Sequence, residues 1–160
     1  MSLEIKLAYE NPALIRELFA EYTELLVSLN QSFADYLRLQ DFDAELADLD
    51  KKYGLPDGRL YLIYWDGQLA GCGALRRLDA VACEIKRLYV RPEFRGKGIA
   101  RTVSERIVQD ARDVGYQTML LDTLPELTQA IALYERMGFV HIPPYNENPV
   151  PDCVFMKLDL

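Results

Sequence analysis

The sequence predicts one α/β domain spanning residues 1–160, in which a mixed β-sheet is flanked by helices. Three observations lead to this prediction: the length suits a single hydrophobic core, half of the residues are apolar and evenly spread, and strand-like segments alternate with helical ones. The predicted order of elements is α-α-β-β-β-α-β-α-β-β. Because the strand–helix–strand step near residue 100 calls for a parallel, right-handed crossover, the sheet is expected to be mixed.

The first third of the chain predicts two helices. Asn11-Pro12 is a favourable helix start, an asparagine cap with proline at the first helical position, and leucines recur behind it at helical spacing as far as Leu29. A second helix is predicted over residues 41–53. Gly54 then occupies the position just past the helix end, and Pro56 prevents the helix from continuing.

Three strands are predicted next, over residues 59–65, 68–78 and 82–90. Asp66-Gly67, which separates the first two, is the commonest short hairpin signal. The connection to the third strand is also short. We therefore expect an antiparallel meander.

The third of these strands contains a slip in its apolar alternation, from odd-numbered Ile85 to even-numbered Leu88 and Val90. One inserted residue, a β-bulge, would cause this slip and splay the end of the strand. The alternative is a strand that is buried on both faces, since Tyr89 keeps the odd parity.

The second half of the chain alternates helices with strands. In order, the predicted elements are a helix from Ile99 to Val114 ended by Gly115, a strand over residues 118–122, a helix from about Pro125 ended by Gly138, and strands over residues 139–142 and 153–158. The last two strands are separated by a loop over residues 143–151.

Composition and charge exclude several classes of function. The net charge is −7, whereas nucleic-acid-binding proteins usually carry an excess of basic residues, so no nucleic-acid partner is expected. His141 is the only histidine and the three cysteines are widely spaced, so a Cys/His site has too few ligands and no metal is expected. A catalytic triad would also depend on His141, which no nucleophile motif accompanies.

The sequence contains no segment typical of membrane insertion or export. The longest apolar runs, such as residues 130–134, fall far short of the ~20 residues that span a bilayer. The first residues include Glu4 and Lys6 and contain no apolar signal core. We therefore expect a cytoplasmic protein without a membrane partner.

The most informative segment is LYVRPEFRGKGIAR, residues 88–101, which runs from a strand end through a loop with two glycines into a helix start. Unpaired N–H groups at a helix start favour a phosphate, and Gly96 and Gly98 carry no side chain that would keep an anion away. Six basic residues lie between positions 86 and 101 with Glu93 as the only acid, which predicts a cationic patch. The alternative is a solvated loop with two turn glycines.

Two common phosphate-binding motifs do not match this segment. A P-loop requires GxxxxGKS or GxxxxGKT, but Lys97 is followed by Gly98 and the first glycine is missing. A dinucleotide fingerprint requires GxGxxG, and Arg101 occupies its last position here. A nucleotide-phosphate-binding regulator is therefore disfavoured.

The segment resembles the acetyl-CoA-binding motif of the GNAT superfamily of N-acetyltransferases, an arginine or glutamine followed by x-x-Gly-x-Gly/Ala, which Arg95, Gly98 and Ala100 match. LYVRP at residues 88–92 resembles the family's fourth strand, and AIALYERMGF at residues 130–139 resembles its second conserved helix. The order of elements also matches the family fold, so the resemblance covers nearly the whole chain. Leu127 departs from the pattern, because many members have an asparagine there that contacts pantetheine.

The resemblance implies a fold, a co-substrate and a set of binding residues. The family fold is a central mixed sheet flanked by helices, and its members transfer an acyl group from acetyl-CoA to a primary amine of a small molecule or peptide. The backbone of Leu88 and Val90 would pair with the pantetheine arm like an added strand. The pyrophosphate would be held by the consecutive residues Arg95, Gly96, Lys97, Gly98, Ile99 and Ala100.

The resemblance also implies two residues for proton transfer. Tyr134 would be the general acid, because a phenol with a pKa of ~10 can donate to a departing thiolate whose conjugate acid has a pKa of ~8.5. The alternative for Tyr134 is a core aromatic residue. Glu84, the only carboxylate in the third strand, would be the general base, as in some members of the family. The alternative for Glu84 is a solvent-facing residue paired with Lys86 or with a neighbouring strand.

The acceptor and the assembly are left open. Tyr145, Asn146 and Glu147 would line the acceptor cleft or belong to a plain surface connection. The acidic balance favours a cationic amine such as a polyamine, an amino sugar or lysine. Family members are often dimers, so a homodimer is one alternative. A non-catalytic CoA-binding sensor or interaction module on the same fold is the alternative function.

Overall fold

The computed structural model describes residues 2–160, which form six α-helices and a seven-stranded sheet. The helices are α1 (Pro12–Leu29), α2 (Phe33–Leu39), α3 (Phe42–Ala47), α4 (Leu49–Tyr53), α5 (Ile99–Val114) and α6 (Thr128–Arg136). The strands are β1 (Leu3–Leu7), β2 (Arg59–Trp65), β3 (Gln68–Arg77), β4 (Ala82–Val90), β5 (Thr118–Thr123), β6 (Val140–His141) and β7 (Val154–Asp159).

The sheet is mixed, as the sequence predicts. Its strands lie in the order β1-β2-β3-β4-β5-β7-β6, and β4 pairs with β5 in parallel whereas the other neighbours are antiparallel. α5 provides the connection between the two parallel strands. The predicted hairpin is confirmed: Trp65 pairs with Gln68, and both residues of the Asp66-Gly67 turn have positive φ.

Each face of the sheet is covered by helices that bury a stripe of apolar residues. On one face α5 contributes Val103 and Ile107, next to Tyr134 of α6. On the other face Leu18 of α1 packs with Tyr53 of α4. The three- and four-residue spacing of such positions is the reason why the longer helices can be predicted from the sequence. None of the helices within residues 2–160 is long and apolar enough to cross a membrane.

The segment between α1 and β2 differs from its prediction. Residues 41–53 form two helices, α3 and α4, because Asp48 leaves the helical conformation and caps α4 by accepting a hydrogen bond from the backbone N–H of Lys51 at 3.3 Å. Gly54 follows the end of α4, as predicted, in an extended conformation with a φ of −69°. A glycine is required there, because a Cβ would lie 2.4 Å from the carbonyl oxygen of Asp50.

Two short elements of the structure are not predicted from the sequence. β1 adds an edge strand to β2, and α2 buries Phe33 and Tyr36. Neither is long enough to show a periodic pattern of its own. Among the elements that were predicted, α6 begins at Thr128 rather than near Pro125.

A β-bulge lies in β4, as the slip in apolar alternation predicts. The register with β3 shifts between Cys72 and Ala74, so that Arg87 and Leu88 together oppose the single residue Gly73. Arg87 has a φ of 56°, which is unusual for a residue other than glycine. Beyond the bulge, even-numbered residues of β4 therefore face the core that odd-numbered residues face before it.

Candidate active site

β4 and β5 separate at the centre of the sheet. Their parallel pairing is confined to residues 82–84 and 118–120, although both strands continue beyond it. β5 is paired with β7 over its whole length, so β4 beyond Glu84 has no strand on that side within the described chain. The separation opens a cleft of 590 Å³ between β4, the start of α5, and α6.

The loop before α5 presents unpaired backbone N–H groups to this cleft. No acceptor within residues 2–160 binds the N–H groups of residues 96–101, and the first bond of the helix runs from Thr102 to the carbonyl of Gly98 at 3.1 Å. Gly96 and Gly98 have φ of 78° and 74°, and a Cβ on either would meet no heavy atom within 4 Å beyond the chain neighbours. This backbone conformation favours glycine, and the exposed N–H groups suit an anion.

Most of the residues predicted to bind the co-substrate line the cleft. They are Leu88, Val90, Arg95, Gly96, Gly98, Ile99 and Ala100. Lys97 does not line it, because its ammonium lies 5.6 Å from the centre of the Trp65 ring. The Nε of Arg95 donates a hydrogen bond to the carbonyl of Val90 at 3.1 Å.

The six basic residues between positions 86 and 101 do not form one patch, which corrects the prediction. Lys86 and Arg87 are buried, with 8% and 5% of their surface exposed. The bulge allows both side chains to contact the helical layer of α2 and α3. Arg91 forms an ion pair with Glu21 of α1 at 2.6 Å. The basic residues that stay near the glycine loop are therefore those at positions 95, 97 and 101.

Tyr134 lies where the cleft ends against the sheet. Only 8% of it is exposed, and its ring packs edge-to-face on Phe139 with centroids 5.5 Å apart. Within residues 2–160 its hydroxyl has no hydrogen-bond partner. Burial, with a smaller contribution from Tyr22, raises the pKa of this phenol above its usual value. The side chain is thus both a core aromatic and a protonated hydroxyl beside the cleft.

A smaller pocket of 50 Å³ joins the cleft at Tyr134. Leu88, Leu127 and Tyr134 line both cavities. The polar residues around the smaller one include Gln40, Lys86, Arg87, Asp122 and Asn148. A molecule in this pocket would therefore approach a thioester in the cleft next to the tyrosine hydroxyl.

Glu84 is buried near the pocket, with 2% of its surface exposed, and does not face solvent. One carboxylate oxygen accepts a hydrogen bond from the hydroxyl of Tyr145. The other makes no hydrogen bond and lies 3.6 Å from Arg76 Nη1 and 3.7 Å from Lys86 Nζ. Glu84 lines neither cavity.

The loop over residues 143–151 contributes Asn148 to the wall of the pocket, whereas Tyr145, Asn146 and Glu147, which were expected at the acceptor cleft, line neither cavity. Asn146 donates hydrogen bonds to the carboxylate of Asp122 at 2.9 Å and to the hydroxyl of Tyr36 at 3.1 Å. The hydroxyl of Tyr36 in turn donates to Asp122. Glu147 is exposed and takes no part in these contacts.

Asp122, Tyr36 and Lys86 line the pocket, although sequence reasoning does not single them out for the site. The available signal for Asp122 is its place near the carboxyl end of β5, the end at which sites of parallel strands gather. Tyr36 belongs to a helix of seven residues without a periodic pattern. Lys86 is counted in the sequence as part of the cationic patch, although the fold places it in the pocket.

Comparison with known proteins identifies the family. A model of the Acetyltransferase (GNAT) family matches residues 15–139. An uncharacterized N-acetyltransferase of Schizosaccharomyces pombe is 38% identical over 143 residues, which cover 88% of this chain and 87% of that protein. An acetyltransferase structure from Streptococcus agalactiae has a TM-score of 0.74 at 22% identity and covers 99% of this chain and 98% of its own.

A second solved structure, the PaiA N-acetyltransferase of Thermoplasma acidophilum in complex with coenzyme A, has a TM-score of 0.74 at 18% identity, and the match covers 100% of both chains. The mixed seven-stranded sheet is thus the fold of the acyl-CoA N-acyltransferases. The chain belongs to the GNAT family of N-acetyltransferases.

Proposed function

We propose that this chain, as one domain over residues 1–160, transfers an acetyl group from acetyl-CoA to a primary amine of a small molecule or peptide. The observation that carries the proposal is the continuity of the cleft. Unpaired N–H groups of residues 96–101 lie at one end, the unpaired edge of β4 runs along it, and Tyr134 lies at the other end. Holding a nucleotide-linked thioester and protonating its leaving group require these parts.

The loop and β4 fit the donor. The N–H groups of residues 96–101 would hold the pyrophosphate at the positive end of α5, with the guanidinium of Arg95 beside it. The backbone of Leu88 and Val90 would pair with the pantetheine arm. Arg95 must then release the carbonyl of Val90 if that oxygen is to accept a hydrogen bond from the arm. The coenzyme A bound to the Thermoplasma relative supports this use of the fold.

The reaction requires two proton transfers. Bound acetyl-CoA supplies a thioester carbonyl that a neutral amine can attack, forming the C–N bond while the C–S bond breaks. The hydroxyl of Tyr134 donates a proton to the departing sulfur and regains one from solvent. Its raised pKa keeps the phenol protonated near neutral pH, so that the hydroxyl is in the form that can donate.

The proton lost by the nitrogen goes to a carboxylate. We assign this role to Glu84 through an intervening water, because the side chain does not line the pocket itself. Glu84→Gln is expected to slow acyl transfer roughly 10²-fold near neutral pH and to recover in part as the pH approaches the pKa of the amine. The measurement is a single-turnover pH–rate profile, with Asp122→Asn as the matched variant. A Glu84→Gln profile that is only scaled, together with a changed profile for Asp122→Asn, would transfer the role to Asp122.

The function is tested by screening a library of primary amines with acetyl-CoA and following the release of free thiol. We expect release above the hydrolysis background with at least one amine, and an N-acetylated product of matching mass. Tight binding of CoA in calorimetry without turnover of any amine would contradict the enzyme and support a non-catalytic CoA-binding module.

The glycine loop is tested by Gly98→Asp. This change places a side chain and a negative charge where the pyrophosphate is expected, and we predict at least a tenfold loss of CoA affinity, ~1.4 kcal/mol. Calorimetry measures the affinity. The matched control is Gly115→Asp at the other end of α5, where φ is 108° and a Cβ also meets no heavy atom within 4 Å beyond the chain neighbours. Equal CoA affinity of the two variants would contradict the assignment of the loop.

A further inference from the structure

The small pocket contains a buried lysine that the proposed chemistry does not use. The side chain of Lys86 is 6% exposed and lines the pocket together with Tyr134. Its ammonium makes no hydrogen bond within residues 2–160; its nearest contacts are Glu84 Oε1 at 3.7 Å and the Tyr36 ring at 5.8 Å. An ammonium that borders a confined pocket and has no acceptor from the protein would form a charge-assisted hydrogen bond with an acceptor that a ligand brings.

The carboxylates around the pocket already interact with cations other than Lys86. Glu84 also interacts with Arg76 at 3.6 Å and accepts the hydrogen bond of Tyr145. Glu45 interacts with Arg87 at 2.9 Å and with Lys52 at 2.6 Å. Each of these two carboxylates therefore has two cationic neighbours. The cations outnumber the two carboxylates, so a further anionic group would be attracted to them.

Asp122 does not supply the missing acceptor for the ammonium of Lys86. Its Oδ2 accepts hydrogen bonds from Tyr36 and Asn146, and it forms no ion pair with Lys86. The pKa of Lys86 is lowered, first by burial and also by neighbouring cations such as Arg87, while nearby carboxylates act to raise it. A carboxylate bound against the ammonium would stabilise its charged form.

We infer that the acyl acceptor is a small amino acid, a molecule that carries both a primary amine and a carboxylate, and that Lys86 binds its carboxylate. This inference rests on the proposed function and names its substrate class. The pocket of 50 Å³ suits a short molecule whose amine meets the thioester beside Tyr134 while its carboxylate reaches Lys86. A polyamine, which the net charge of −7 favours, would bring a second cation to the buried lysine.

The inference is tested first with matched acceptors. Small amino acids are compared with their carboxamides, which keep the size and the amine but lack the negative charge. We expect kcat/KM to be at least tenfold higher for the acids. Equal use of acids and carboxamides, or a preference for carboxamides or polyamines, would overturn the role of Lys86 while leaving the acetyltransferase proposal intact. No turnover of any amine would overturn both.

Lys86→Met is the second test, since it keeps the unbranched chain except for the terminal ammonium and so removes the charge. We expect at least a tenfold loss of kcat/KM for the acids, mainly through KM, and a change within about threefold for the carboxamides. Lys86→Arg should retain part of the preference for acids, which keeps the test decisive if the methionine variant does not fold. Lys6→Met on β1, an exposed lysine, is the control. An equal loss for acids and carboxamides would mean that Lys86 only supports the fold.

Discussion

Tyr134→Phe is expected to lower kcat by roughly 10²-fold, the contribution typical of a positioned general acid. The phenylalanine keeps the edge-to-face packing on Phe139 and removes only the hydroxyl, which has no hydrogen-bond partner within residues 2–160. Because no protein hydrogen bond is broken, the variant should fold with nearly unchanged stability. Its affinity for acetyl-CoA should stay within about threefold.

The measurement combines steady-state kinetics with calorimetry of acetyl-CoA binding. Tyr64→Phe is the matched control, since Tyr64 is a partly buried tyrosine of β2 that lines neither cavity. An unchanged kcat for Tyr134→Phe would mean that Tyr134 only packs in the core and is not the general acid. A lower affinity for acetyl-CoA at unchanged kcat would instead indicate a binding role.

Glu45→Gln is expected to lower the free energy of unfolding by about 3 kcal/mol near neutral pH. Glu45 is 5% exposed and receives bonds from Arg87, Lys52 and the hydroxyl of Tyr53. Burial acts to raise the pKa of its carboxyl, but the charges and hydrogen bonds of Arg87 and Lys52 outweigh it and lower the pKa to about 2. Removing the carboxylate leaves a buried guanidinium without its counter-ion.

The pH dependence follows from the sign of this shift. A carboxyl whose pKa is lower in the folded state stabilises the fold above its unfolded pKa of 4.5, and this contribution is lost as the pH falls towards 2. The stability difference between the natural chain and Glu45→Gln should therefore shrink over that range. Urea unfolding at several pH values measures it. Asp35→Asn, which breaks an exposed ion pair with Arg38, should cost less than about 1 kcal/mol. A pH-independent difference for Glu45→Gln would contradict the assigned ion pair.

The amino-acid sequence alone predicts the elements whose information is local. α5 and its end at Gly115, the hairpin at Asp66-Gly67 and the bulge in β4 follow from apolar spacing and from residues that favour particular backbone conformations. The same holds for the glycine loop, because its N–H groups belong to consecutive residues. These features can be predicted because the physical cause lies within a few residues of its effect.

The helix break at Asp48 and the short helix α2 do not follow from the sequence, because their causes are not recorded in the pattern of neighbouring residues. The interruption at Asp48 depends on one side-chain hydrogen bond, and α2 is held by the burial of Phe33 and Tyr36 under distant parts of the chain. No periodic pattern records either cause. In the site, Asp122 and Lys86 come from different strands, and no spacing in the sequence connects them.

The sequence by itself determined the family motif, the glycine loop before α5 and the tyrosine of α6. Only the tertiary structure decided how charge is distributed. Lys86 and Arg91 lie within a single basic stretch of the sequence, yet one lines a buried pocket and the other is paired with Glu21 on α1. The physical reason is that the bulge and the separation of β4 from β5 set the direction and surroundings of each side chain, and these depend on pairing between residues far apart in the chain.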